Sequence, residues 1–92
     1  MESAPYDPFS FLTQLTIFFT TLSPVIEQWV KERTELRQQR IMMERVRHLK
    51  HYCKRQNLSA NGILIEIKLT FKDYTDIEQT ELATLMDEEL HK

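Results

Sequence analysis

A long segment between Trp29 and Gln56 contains no glycine and no proline, and its apolar residues recur at helical spacing. At about 100° per residue, apolar side chains gather on one side of a helix and basic side chains on the other. Ser23 can cap a helix start and Pro24 fits its first position, so we predict one long helix over residues 24–57. Its apolar face contains Trp29, Leu36, Met42, Met43, Val46, Leu49 and Cys53.

The stretch over residues 8–26 contains no charged residue. Its apolar residues include a regular stripe, typical of a helix that packs against protein, after a mobile tail over residues 1–8. We therefore predict a helix over residues 9–23. The alternatives are a strand around residues 17–21 and a membrane span over residues 8–26, since a helix of about 19 residues approaches the ~30 Å of a hydrocarbon core. Basic residues follow this stretch, which for a span places the C-terminal part in the cytoplasm.

The clearest alternation of apolar and other residues lies over residues 62–71, after the Asn61-Gly62 turn signal. It predicts a β-strand, because one face then collects five apolar side chains. A lone strand leaves its backbone groups unpaired, so we expect it to pair across a homodimer; residues 16–22 and another protein are alternative partners. The strand residues proposed for self-association are Ile63, Ile65, Ile67, Leu69 and Phe71.

Thr75 and Glu78 have the spacing of a capping box, which predicts a helix over residues 75–90. Its predicted inner face contains Ile77, Leu82, Leu85, Met86 and Leu90. The expected fold is therefore a mainly α domain of the α+β class over residues 9–92, with the order hydrophobic helix, long helix, strand, helix.

Composition supports a helical fold and a need for partners. The 92-residue chain contains one glycine, too few for the many tight turns of an all-β fold. A core of this size is marginal without a partner. The single cysteine, Cys53, excludes an intramolecular disulfide and favours a reducing, cytoplasmic location.

Charge is strongly segregated along the chain. Residues 31–56 carry nine basic against three acidic side chains, whereas residues 57–92 carry three against eight. The basic side of the long helix could face the acidic C-terminal helix, a partner protein, nucleic-acid phosphates or anionic lipid. The residues of this predicted basic face are Arg37, Arg40, Arg47, Lys50, Lys54 and Arg55, with His48 and His51 beside them.

The sequence contains only weak candidates for a metal site or a catalytic centre. His48, His51 and Cys53 resemble metal ligands, but a structural zinc site normally needs four ligands and the sequence offers no second cluster. We expect no metal, no cofactor and no catalytic centre. The predicted function is a non-catalytic interaction or assembly module that self-associates through its strand and apolar helix faces. The alternatives are a single-span membrane protein with a cytoplasmic basic helix and an acidic adaptor end, and a nucleic-acid-binding dimer.

Overall fold

The structure, a computed structural model, describes residues 21–92, which fold into four α-helices without any strand. A small α-helical domain is confirmed, but the predicted α+β class is wrong. The predicted tail over residues 1–8 and most of the predicted helix over residues 9–23 lie outside the described residues. The helices are α1 Pro24–Arg33, α2 Leu36–Arg55, α3 Ala60–Thr70 and α4 Asp76–Leu90.

The single long helix predicted over residues 24–57 is two helices, α1 and α2. The chain is extended at Thr34, with φ −132° and ψ 134°, and α2 begins after Glu35. The side-chain amide of Gln39 donates to the carbonyl oxygens of Lys31 at 3.3 Å and Thr34 at 3.2 Å. These bonds satisfy carbonyl groups that the end of α1 leaves unpaired. The break allows α1 to contact both α2 and α4.

The segment predicted as a strand is the helix α3. Burial follows a period of four, because Ile63 and Ile67 are fully buried and Phe71 is 2% exposed. Ile65 and Leu69, which a strand would place on the same face, are 57% and 59% exposed. The prediction of strand pairing between two copies therefore loses its structural basis.

Residues 60–70 form a helix and not a strand because a helix pairs its own backbone groups. The Ser59 hydroxyl accepts from the backbone N–H of Gly62 at 3.3 Å and caps the helix start. A single strand within residues 21–92 would leave its ladder groups unpaired, which costs more than the penalty of up to about 0.7 kcal/mol for each β-branched residue in a helix. Alternate apolar residues also contain an i, i+4 series, so the pattern alone fits both structures.

Helix α4 begins with the predicted capping box. The Thr75 hydroxyl accepts from the Glu78 N–H at 3.1 Å, and the Glu78 carboxylate accepts from the Thr75 N–H at 3.0 Å. The predicted inner face is partly wrong, since Ile77 is 74% exposed and Gln79 is buried instead. The Gln79 amide donates to the carbonyl of Phe71 at 2.9 Å and thereby joins the end of α3 to α4.

All four helices contribute to one core. The predicted apolar face is buried at six of its seven positions; the exception is Leu36, the first residue of α2, which is 83% exposed. Within residues 21–92 no helix is long and apolar enough to cross a bilayer, and most of the predicted span over residues 8–26 lies outside that range. The largest fully buried side chains are Ile26, Val30, Val46, Cys53, Ile63, Ile67, Leu82 and Met86.

Candidate functional site

An open groove of about 640 Å³ lies between α2 and α3 and is termed the α2–α3 groove. Its apolar part comes from Ile41, Leu49 and Tyr52 of α2. In a regular helix Ile41 and Tyr52 project within about 20° of each other, three turns apart, so they form one stripe along the groove. The remaining lining residues are Arg40, Glu44, Arg45 and His48 of α2 with Glu66 and Thr70 of α3.

Large apolar side chains are exposed on both of the helices that form this groove. On α2, Ile41 is 55% and Tyr52 44% exposed. On α3, the exposed residues Ile65 and Leu69 each directly precede a residue that lines the groove. Such a concentration of uncovered apolar surface on a small domain is typical of a binding site.

One end of the α2–α3 groove is fixed by Arg45. Its guanidinium donates to the backbone oxygen of Thr70 at 2.8 Å and lies 5.2 Å from the centre of the Phe71 ring. The bond satisfies a carbonyl group at the end of α3, where a positive charge is also favourable toward the helix dipole. Arg45 therefore holds α2 and α3 together and defines the shape of the groove at this end.

The six residues of the predicted basic face separate into two groups. Lys50 pairs with Glu89 of α4, and Arg47 pairs with Glu44 within α2. The other four have no carboxylate within ion-pair distance among residues 21–92 and are exposed to solvent. This unpaired group contains Arg37, Arg40, Lys54 and Arg55.

The pair between Lys50 and Glu89 is a structural contact. Lys50 also donates to the Thr21 carbonyl, and Glu89 accepts from the Ser23 N–H at 3.2 Å. Burial alone would raise the pKa of Glu89, but the hydrogen bonds from Lys50 and Ser23 and the Lys50 charge together lower it. The pair fastens the start of α1 to α2 and α4 and is not available to a ligand.

Charged groups pair across a second surface, between α1 and α4. The Trp29 indole N–H donates to Glu81 at 3.2 Å, and Arg33 pairs with Glu81 at 3.1 Å and Glu78 at 3.8 Å. The Arg33 guanidinium also lies 4.7 Å from the centre of the Trp29 ring. A smaller open cavity of about 440 Å³ lies here, termed the α1–α4 cavity, and is lined by Pro24, Val25, Gln28, Trp29, Glu32, Arg33 and Leu85.

Comparison with protein-family models, curated proteins and solved structures gave no match. What the α2–α3 groove binds must therefore be inferred from its shape, its apolar surface and its charge.

The residues that resemble metal ligands do not form a site within the described part of the chain. Residues 21–92 contain no group of three or more side chains that could hold a metal ion. His48 lines the α2–α3 groove, whereas Cys53 is 1% exposed and lies in the core. Burial, with a smaller contribution from the Glu66 carboxylate, raises the pKa of Cys53 to about 11. The thiol is therefore protonated at neutral pH and is a poor nucleophile.

Sequence reasoning missed one wall of the α2–α3 groove. The strand prediction for residues 62–71 gave no reason to place Glu66 and Thr70 beside α2. A usable signal exists for the other wall, since Ile41 and Tyr52 are eleven residues apart, close to three helical turns. Both residues continue the helical spacing of the apolar face in the sequence, but in the structure they lie at the exposed edge of that face.

Proposed function

We propose that this protein is a non-catalytic interaction module that binds an amphipathic helix of a partner protein in the α2–α3 groove. The observation that supports the proposal is the open apolar groove itself, whose residues Ile41 and Tyr52 stay half-exposed although the core is complete without them. Docking the apolar face of a helix into such a groove is a common mode of protein recognition.

The dimensions of the groove favour a helix as the ligand. The stripe from Ile41 to Tyr52 extends about 16 Å along α2, close to three turns of a facing helix. Two helices that flank a groove can accept a third at the usual interaxial distance of about 8–10 Å. The bound helix would cover Ile41 and Tyr52 on α2 and would face Glu66 and Thr70 on α3.

The driving force of this binding would be apolar burial. Ile41 and Tyr52 are about half covered in the free domain, so covering the rest of each contributes about half of the ~1.5–3 kcal/mol of a full burial, before the cost of association is subtracted. The apolar face of the partner helix is buried at the same time and contributes as well.

The test uses the full-length chain and a synthetic amphipathic peptide of about 16 residues, with leucine every three or four positions on one face and glutamate at both ends. Isothermal titration calorimetry measures its affinity. Ile41→Ser is expected to weaken binding about tenfold or more, because it removes an apolar contact in the groove. Ile77→Ser is the matched control, since Ile77 is also an exposed helical isoleucine but lies on α4.

The proposal requires that Ile77→Ser bind the peptide as tightly as the unmodified protein does. Equal affinity of both variants, or no binding of the peptide by the unmodified protein, would contradict it. A dimer of the chain that Ile41→Ser dissociates, in the absence of peptide binding, would assign the groove to a second copy instead.

A further inference from the structure

We propose that the helix bound by the α2–α3 groove is acidic at both ends, with carboxylates that pair with Arg37 and Arg40 at one end and Arg55 at the other. The inference rests on the proposed function, because it specifies the partner of the same groove.

The first support is the way the domain uses its own cations. Arg33 pairs with Glu78 and Glu81, and Lys50 with Glu89, so these three acidic residues of α4 are directed to α1 and to one residue of α2. Arg37, Arg40 and Arg55 have no such carboxylate within residues 21–92. The sequence-based idea that the acidic C-terminal helix neutralises the basic face therefore applies to Lys50 alone among the six predicted residues.

The second support is the direction in which these arginines project. In a regular helix Arg37 and Arg55 both lie within about 40° of Ile41, and Arg40 lines the groove itself. Lys54 projects about 140° away from Ile41 and points off the groove. Three cations of α2 that have no carboxylate partner within residues 21–92 thus share the surface that carries its exposed apolar stripe.

The spacing of the cations describes the partner. Arg37 and Arg55 are about 27 Å apart along α2, whereas the apolar stripe between them covers about 16 Å. A complementary helix therefore carries roughly three turns of apolar residues with one turn of acidic residues on either side. Acidic residues at both ends let the helix bind antiparallel or parallel to α2 with the same ion pairs.

The two carboxylates of the groove refine this description. Glu44 pairs with Arg47, and Glu66 lies on the α3 side of the groove. A carboxylate of the partner facing Glu66 would be repelled, so the bound helix is apolar or uncharged on that side. The recognised pattern is therefore acidic only beside the arginines of α2.

The test compares two peptides of about 18 residues with the same apolar face, one with glutamate and one with lysine at both ends. Fluorescence anisotropy measures their affinity for the full-length protein. At about 0.05 M salt the acidic peptide is expected to bind about tenfold more tightly, which corresponds to two or three exposed ion pairs. At about 1 M salt the difference is expected to disappear, because the Debye length falls to about 3 Å.

Substitutions assign the effect to the arginines of the groove. The double variant Arg37→Gln/Arg55→Gln is expected to lower affinity for the acidic peptide about five- to tenfold and to leave the lysine peptide unaffected or bound more tightly. Lys54→Gln is the matched control, because it removes an exposed cation of the same helix on another side. Circular dichroism at 222 nm is used to confirm that all variants retain their helical content.

The outcomes separate the two proposals. Equal binding of both peptides, or equal effects of the double variant and Lys54→Gln, would overturn the acidic partner and leave the helix-binding function standing. Failure of both peptides to bind would overturn both. Binding of a DNA duplex of about 20 base pairs without either peptide, with a steep salt dependence lost in the double variant, would assign the arginines to phosphates and would also overturn both.

Discussion

Similar aromatic and arginine residues differ in burial and in ion pairing between the α1–α4 side and the α2–α3 side of this domain. On the α1–α4 side Trp29 is 6% exposed and lies beneath Arg33, which pairs with Glu78 and Glu81. On the α2–α3 side Tyr52 is 44% exposed, and the neighbouring arginines have no carboxylate partner within residues 21–92.

The difference separates side chains whose charges are paired within the fold from exposed side chains that have no such pair within residues 21–92. Helix α4 supplies acidic residues to α1, and in the described part of the chain no element supplies them to the outer side of α2. A charged group that is paired and partly buried is costly to remove, whereas an exposed one contributes little to stability. Substitutions on the α1–α4 side should therefore change the free energy of unfolding, and those on the α2–α3 side should change the affinity for a partner.

The largest expected effect separates Ile67 from Ile65 on α3. Ile67→Ala should lower the free energy of unfolding by about 3 kcal/mol, because a fully buried side chain leaves a cavity. Ile65→Ala, at a position that is 57% exposed, should change it by about 0.5 kcal/mol or less. Urea unfolding followed by circular dichroism measures both values. Equal losses of stability in the two variants would mean that Ile65 and Ile67 are buried alike, as in a strand, and would contradict the helix.

The next largest effect concerns Glu89, whose side chain is 14% exposed. Glu89→Gln should lower the free energy of unfolding by about 2 kcal/mol at pH 7, because it leaves Lys50 without its charge partner. Glu88→Gln, at the exposed neighbouring position, should have little effect. Chemical denaturation of both variants at pH 7 measures the difference; similar losses would show that the pair with Lys50 contributes nothing.

The same pair gives a pH dependence of definite sign. The folded protein lowers the pKa of Glu89 below its ordinary value of 4.5, so the stabilisation is complete above that value. It is lost as the pH falls through the lowered pKa. The difference between the unmodified protein and Glu89→Gln should therefore shrink below about pH 4.5. A difference that grows in acid would contradict the assigned direction.

A smaller effect is expected at the start of α4. Thr75→Ala removes the hydroxyl that caps the helix and should lower the free energy of unfolding by about 1 kcal/mol. Thr80→Ala, an exposed position within the same helix, makes the same chemical change without removing a cap. Thermal unfolding of the two variants compares them, and an equal decrease would show that the capping box is not stabilising.

The smallest expected effect on stability is at the α2–α3 groove. Ile41→Ser and Tyr52→Ser should each change the free energy of unfolding by about 1 kcal/mol or less, because about half of each side chain is already exposed. Their expected effect is on peptide binding. A loss of about 2 kcal/mol or more would place these residues in the core and remove the contrast between the two sides.

Features with a local cause were predictable from the sequence. The spacing of Thr75 and Glu78 predicted the start of α4, because both hydrogen bonds of a capping box lie within four residues. The buried residues of α2 from Met42 to Cys53 recur at helical spacing, and they are buried as that pattern indicates.

Features that depend on tertiary contacts were not predictable in the same way. No glycine or proline marks the break at Thr34, and the Gln39 amide that stabilises it lies one turn into the next helix. Alternation over residues 62–71 fits a strand or a helix, and packing decides between them. The same applies to the site: the basic residues were identifiable, but which of them α4 would pair depended on where α4 lies.

The most direct test of the proposed groove is its location by NMR. Amide chemical shifts of the isotope-labelled full-length protein are recorded during titration with the glutamate-ended peptide. If the peptide binds in the α2–α3 groove, saturable changes are expected at Ile41, Tyr52, Glu66 and Thr70, and none at residues that line only the α1–α4 cavity, such as Leu85. Changes concentrated around the α1–α4 cavity, or no saturable change at the α2–α3 groove, would contradict this proposal.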